Sequence, residues 1–214
     1  MSIKPRRIFF TPHAPDLDGI CLAQQRVGAG ALTINGADAV AGVASFAAAG
    51  EYERVGYQVS IQSAGNLSGV NFTITGTDAE GKALSEVVAG PNITTVESLG
   101  YFRTVTSVTV SGTIATDANL GTVDEFVTAP FVLDLYAPYT SIAVDISGTI
   151  DYSVQKCFER LTAGQTANWV AGGLTAQTAD GNTAYTQATG AIRVVGNSFT
   201  ATATVGMNIA QANP

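Results

Sequence analysis

Charge is scarce in this sequence: 13% of its 214 residues are Asp, Glu, Lys or Arg, about half the share of an ordinary soluble domain. Histidine and tryptophan occur once each and cysteine twice. Each shortage removes a class of function. His13 stands alone between Pro12 and Pro15. Ser-His-Asp or Cys-His catalysis would therefore need the N-terminal stretch folded onto a distant nucleophile. Cys21 and Cys157 lack CxxC spacing, so two reduced, buried thiols are expected rather than a metal site or a disulfide framework. No apolar run approaches the roughly 18 residues of a membrane helix. The opening residues also lack the continuous hydrophobic segment of a secretory signal, so a protein that folds in a cytoplasm is expected.

Basic residues are few and unevenly placed. Lys4, Arg6 and Arg7 fall within the first seven positions, leaving seven basic residues against 17 acidic ones, a balance of −10 for the rest of the chain. Such a body repels phosphate backbones, and three cations are too few for a nucleic-acid module. Gly28-Ala29-Gly30 lacks the third glycine of a dinucleotide fingerprint, and no phosphate loop occurs. Asp16-Leu17-Asp18-Gly19 starts like a calcium loop but does not continue as one, and reads as a capped turn. Adjacent Asp124 and Glu125 would point to opposite faces of a strand, the wrong geometry for a catalytic pair. The Asn66, Asn71 and Asn92 triplets of glycosylation type follow from a Ser- and Thr-rich composition. No catalytic residue, cofactor or metal is expected.

What the chain has is a period of two. Residues 32–35, 55–61, 70–75, 83–88, 102–110, 131–136, 142–146, 152–158, 191–195 and 199–205 alternate or cluster apolar and β-branched side chains as half-buried strands do. Gly- and Asn-rich turns separate them, including 77–81, which joins two strands as a hairpin, and Asp180-Gly181-Asn182. Helical periodicity is nearly absent. The expected fold is all-β: two β-sandwich-like domains, Ig-like or jelly-roll-like, over residues 31–130 and 131–214, with the boundary at Thr128-Ala129-Pro130. Ser-Gly-Thr-Ile recurs at 111–114 and 147–150, each after an alternating run, a match too short to establish a repeat.

Residues 1–30, broken by Pro5, Pro12 and Pro15, read as an extended N-terminal arm. Its Lys4, Arg6, Arg7, Ile8, Phe9 and Phe10 are the expected partner-binding residues, the rings acting as anchors and the cations meeting acidic rims. The arm either packs across its own body or lies on a neighbouring subunit. Trp169, Tyr185 and Phe199 present two alternatives, core packing or a sugar-stacking platform.

Two segments resemble tailed-bacteriophage virion proteins. One runs through VSIQSAGNLSGVNFTITGTD (59–78), SEVVAGPN (85–92) and FRTVTSV (102–108). The other runs through ISGTIDYSVQ (146–155), Asn168-Trp169, LTAQTADGN (174–182) and Ala191-Ile192-Arg193. Together they cover roughly residues 55–205. The resemblance implies a non-enzymatic structural protein of the virion, assembled in the host cytoplasm. Within a particle, an arm that bridges neighbouring subunits of a pressurised lattice points to a capsid decoration or cement protein on the major capsid protein, as a homo-oligomer for which a trimer at lattice three-fold positions is the expected symmetry. A head-tail connector or tail component, and a host-surface or carbohydrate-binding module, are the alternatives.

Overall fold

Strands need partners for every main-chain N–H and C=O, and this chain finds them almost entirely in antiparallel pairs. The computed structural model describes residues 5–161 and 167–212. Among these residues there is no helix; 18 strands make an all-β fold. The chain divides into two units: a terminal unit of Met1–His13, Ala48–Glu53 and Glu125–Pro214, and a central unit of Ala14–Ala47 and Arg54–Asp124. The expected boundaries at 30 and 130 differ from this division. Residues 1–30 split after His13, because the pairing of strands distant in sequence, not proximity along the chain, sets the units. Pro130 breaks a strand, but the chain resumes on the same sheet.

In the terminal unit, β1 (Arg6–Thr11), β6 (Ala49–Gly50), β13 (Tyr139–Ser147), β16 (Gly181–Tyr185) and β18 (Thr204–Ala212) form a five-stranded sheet in the order β16-β13-β18-β1-β6. The first strand of the chain therefore lies beside the last, with Ile8 opposite Met207 and Phe10 opposite Val205. Ile8, Phe10, Ile142, Val144, Val205, Met207 and Ile209 are buried. Facing them, β14 (Ile150–Cys157) pairs with β17 (Ala191–Phe199) from Ile150↔Phe199 to Cys157↔Ala191. β12 (Phe131–Val132) and the end of β11 (Ile114–Thr128) also pair with β17, and β15 (Val170–Ala171) pairs with β14.

Aromatic rings fill the space between these layers. Phe10 meets Phe126 edge-on at 5.7 Å, Phe126 meets Phe199 at 5.5 Å, and Tyr52 lies 4.7 Å from Phe131. The Tyr52 hydroxyl donates to the Ala129 carbonyl at 3.0 Å, which satisfies its one polar group inside the core. Gly196 is glycine because a Cβ there would run into the Phe126 ring.

The central unit is built on β10 (Thr95–Val110), whose first half pairs with β7 (Val55–Ser63) and whose second half pairs with β8 (Asn71–Asp78). β3 (Gly30–Ala31) and β5 (Val43–Ser45) pair with the second half of β10, and β4 (Ala39–Val40) continues from β5. β9 (Ala83–Ala89) closes the hairpin with β8, and β2 (Cys21–Arg26) pairs with the start of β11. The register of β10 on β7 shifts between Glu97 and Tyr101. Side chains fill the gap that the bulge leaves. Glu86 accepts from the Leu99 and Gly100 amides at 2.8 Å each, and Ser98 Oγ accepts from the Val59 amide at 2.9 Å.

Four expected elements differ. Residues 32–35 are extended but outside any regular strand. Gln24 replaces the missing partner, accepting from Thr33 N at 2.9 Å while its Nε2 donates to Thr33 O at 2.9 Å. The alternation at 199–205 is interrupted by a turn, with Ala203 N donating to Thr200 O at 2.9 Å. Residues 131–136 hold only the two-residue β12, because Asp134 Oδ1 takes the Tyr136 amide at 2.9 Å and turns the chain. The expected turn at 180–182 lies at the start of β16, since Asp180 Oδ1 accepts from Ile146 N at 2.8 Å and leads the chain onto the edge of β13.

Phe10→Ala is expected to destabilise the terminal unit by about 3–5 kcal/mol, as loss of a buried ring does. Phe9→Ala, on the opposite face of the same strand, is expected to cost under about 1 kcal/mol. Urea unfolding of the two variants checks the contrast.

Candidate functional site

Alternation along β1 separates the residues expected to bind a partner. Arg6, Ile8 and Phe10 share one face, and Arg7, Phe9 and Thr11 share the other. Ile8 and Phe10 are buried at 4% and 1% exposure. The Arg6 guanidinium lies 5.8 Å from the Phe131 ring centroid. The apolar groups of this face, expected as anchors for a neighbour, instead belong to the core of their own unit, because β1 is hydrogen-bonded between β18 and β6. Arg7 is exposed and Phe9 half-buried on the outer face. Lys4 lies outside the described residues. What the sequence lacked was any sign that the strands nearest the two termini would pair.

The three rings weighed as a sugar platform do not come together as one. Phe199 is buried against Phe126. Tyr185 is buried, its hydroxyl donating to Gly172 O at 2.6 Å and its ring lying 4.5 Å from Lys156 Nζ. Trp169 alone is half-exposed. The Arg193 guanidinium lies 4.4 Å from its ring centroid and donates through Nε to Gln155 Oε1 at 2.8 Å.

Asp16-Leu17-Asp18-Gly19 forms the expected capped turn, with Asp18 N donating to Asp16 Oδ1 at 3.2 Å. Hydrogen bonding to Asp16 holds the Asp18 carboxyl above its ordinary range. Among the described residues no three His, Cys, Asp or Glu side chains gather as a metal site, and no helix is long and apolar enough to cross a membrane. Both cysteines are free and buried. Burial pushes the Cys21 thiol up to about 12 and raises Cys157 as well, which makes them poor nucleophiles.

One concavity was not foreseen. In the central unit, a surface pocket of about 480 Å³ opens between the end of β7, the segment entering β10 and the start of β11. Gln62, Ser63, Thr94, Thr95, Asp117 and Asn119 supply its polar lining, and Ala64 and Ile93 its apolar part. Asn119 Nδ2 donates to Leu17 O at 2.9 Å and to Gln62 Oε1 at 3.3 Å, and Ser63 Oγ donates to Asp117 O at 2.8 Å. These bonds fix the walls. No sequence motif joins three segments so far apart; the only local hint was an apolar β-branched residue following Pro91-Asn92.

No family model matches the chain, and no curated protein matches it. Among solved structures, it is similar to the N-terminal CBM22-1-CBM22-2 tandem domain from Paenibacillus barcinonensis Xyn10C, at 10% identity, 94% coverage of this chain and 98% of that one, with a TM-score of 0.24. A likeness at that score carries no argument about function.

The buried thiol and phenol make stability fall in alkali. Burial also pushes Tyr185 up to about 12. Unfolded, the two groups release protons near 9 and 10, so the folded state retains protons that the unfolded state loses. The urea midpoint is expected to hold below about pH 9 and to decline as the pH rises toward 12. A thiol-reactive dye should label the native protein only as it unfolds.

Proposed function

We propose that the chain is a non-enzymatic structural subunit of a tailed-phage particle, a capsid decoration or cement protein that binds the major capsid protein lattice. The observation that carries an assembly role is the open edge of the central unit. β9 pairs with β8 alone among the described strands. Its sequence, ALSEVVA, has no Lys or Pro to blunt that edge, and its one charge, Glu86, is engaged by two backbone amides. Val87 is 61% exposed. Monomeric β-proteins guard such edges with charge, proline or a covering segment, and an unguarded one adds a strand from a neighbour.

The resemblance to virion proteins supplies the particle. Its segments fall on β7, β8, β9 and β10 in the central unit and on β13, β14, β16 and β17 in the terminal unit, together with connections between them, so the shared residues belong to the sheet scaffold and its turns. Location in the virion, assembly in the host cytoplasm and trimeric symmetry belong to the same reading.

Quantitative mass spectrometry of purified particles tests it against the major capsid protein. Hundreds of copies per particle support decoration. About a dozen, the number a ring connector would use, move the protein to the neck or tail. Absence from particles overturns the proposal. In the same assay, Ser85→Lys with Val87→Lys should leave the protein folded and reduce its incorporation at least about tenfold, since lysines disfavour edge pairing.

A further inference from the structure

Ile93 combines two features that folding alone disfavours. Its φ is 56°, and among the described residues it is the one β-branched side chain with positive φ. A branched Cβ crowds the backbone in that region, which is why such residues are outliers there. Its side chain is also 70% exposed, so no core contact offsets the strain. The surroundings hold it in place: Ile93 N donates to Gly65 O at 3.1 Å, Leu67 N donates to Pro91 O at 2.7 Å, and Asn66 bridges Asn92. Strain of this kind persists where the neighbouring structure over-determines it, and it gathers at ligand sites.

Ile93 lines the pocket between β7 and β11, and the other lining groups define what the pocket can take. It contains no Lys, Arg or His, so nothing there would neutralise a phosphate, sulfate or carboxylate. Its lining divides almost evenly between apolar surface and polar groups, the latter being hydroxyls, amides and a single carboxylate residue, Asp117. Uncharged donors and acceptors at fixed positions beside the apolar surface of Ala64 and Ile93 match a ligand with many hydroxyls and an apolar C–H face. The volume of about 480 Å³ falls within the roughly 300–1,000 Å³ of small-ligand sites.

We infer that this pocket is a binding site for a neutral saccharide, with Ile93 against the apolar face of a sugar ring and Gln62, Thr94, Thr95, Asp117 and Asn119 around its hydroxyls. The site is built within the central unit and is independent of the edge strand β9. A particle subunit carrying it would hold a glycan contact as well as a lattice contact.

The test is an NMR titration of the full ¹⁵N-labelled chain with neutral trisaccharides of glucose, galactose, mannose and N-acetylglucosamine. Saturable shifts are expected at the amides of Gln62, Thr94, Thr95 and Asn119 with at least one of them. Ile93→Gly, which accepts positive φ without strain, should keep its melting temperature and weaken that binding about tenfold. Asp117→Ala should weaken it similarly. Absence of shifts with all four saccharides overturns the inference. So does binding at other amides, or binding that Ile93→Gly leaves unchanged. Incorporation into particles plays no part in this readout, so failure here leaves the structural reading standing, and failure of that reading leaves the pocket to be judged alone.

Discussion

The terminal unit depends on the seating of β1 between β18 and β6. Without that strand, the five-stranded sheet would end at β18, exposing a nine-residue edge, and Phe10 would leave the aromatic cluster it shares with Tyr52 and Phe126. Main-chain pairing and ring burial act at the same six residues. A hydrogen-bonded strand fixes the direction of its side chains, so the pairing of Ile8 with Met207 and of Phe10 with Val205 also decides which groups are inside. The consequence is closure by an element from the far end of the chain. Such a contact is slow to find because a long loop must close first.

A second constraint is the shortage of charge. Where the ladders of the central unit break, uncharged side chains take over the main-chain bonds. Gln24 serves the extended segment at Thr33, Asn35 Oδ1 accepts from the Leu22 amide at 3.1 Å, and Ser98 accepts from Val59 across the bulge. In the terminal unit, Thr128 Oγ1 accepts from Val194 N at 3.0 Å. The few carboxylates serve the same end, Glu86 taking two amides at the bulge and Asp78, Asp134 and Asp180 taking amides at turns and strand ends. Buried amides left without partners would cost more than these substitutes contribute, so the small polar residues that dominate the composition stabilise irregular strand ends.

These features bear on function through what they leave exposed. Charges that would ordinarily keep sheet edges apart are sparse, and β9 remains open. The pocket is formed where strands end: it joins the end of β7, the segment before β10 and the start of β11. Rigid strands carry short irregular segments that hold the adaptable chemistry.

The strand character of most of this chain was legible in its alternation, because period two requires only neighbouring residues and the local preference for a pleated, half-buried surface. The hairpin through 77–81 was legible for the same reason: Asp78 Oδ1 accepts from Glu80 N and Lys82 N, and Gly81 takes the positive φ its turn requires. Local pattern misled where one side chain redirected the backbone, as Asp134 and Asp180 do. It was silent on which strands would pair. Phe9 and Phe10 looked alike in sequence, and only their register against β18 placed one inside and the other out. The pocket was equally invisible, since Gln62, Ile93 and Asn119 share no spacing. The sequence by itself determined that the chain would form strands. Tertiary structure decided the fate of the N-terminal segment, the limits of the units and the position of the pocket, because these depend on contacts between residues far apart in sequence, which no local preference encodes.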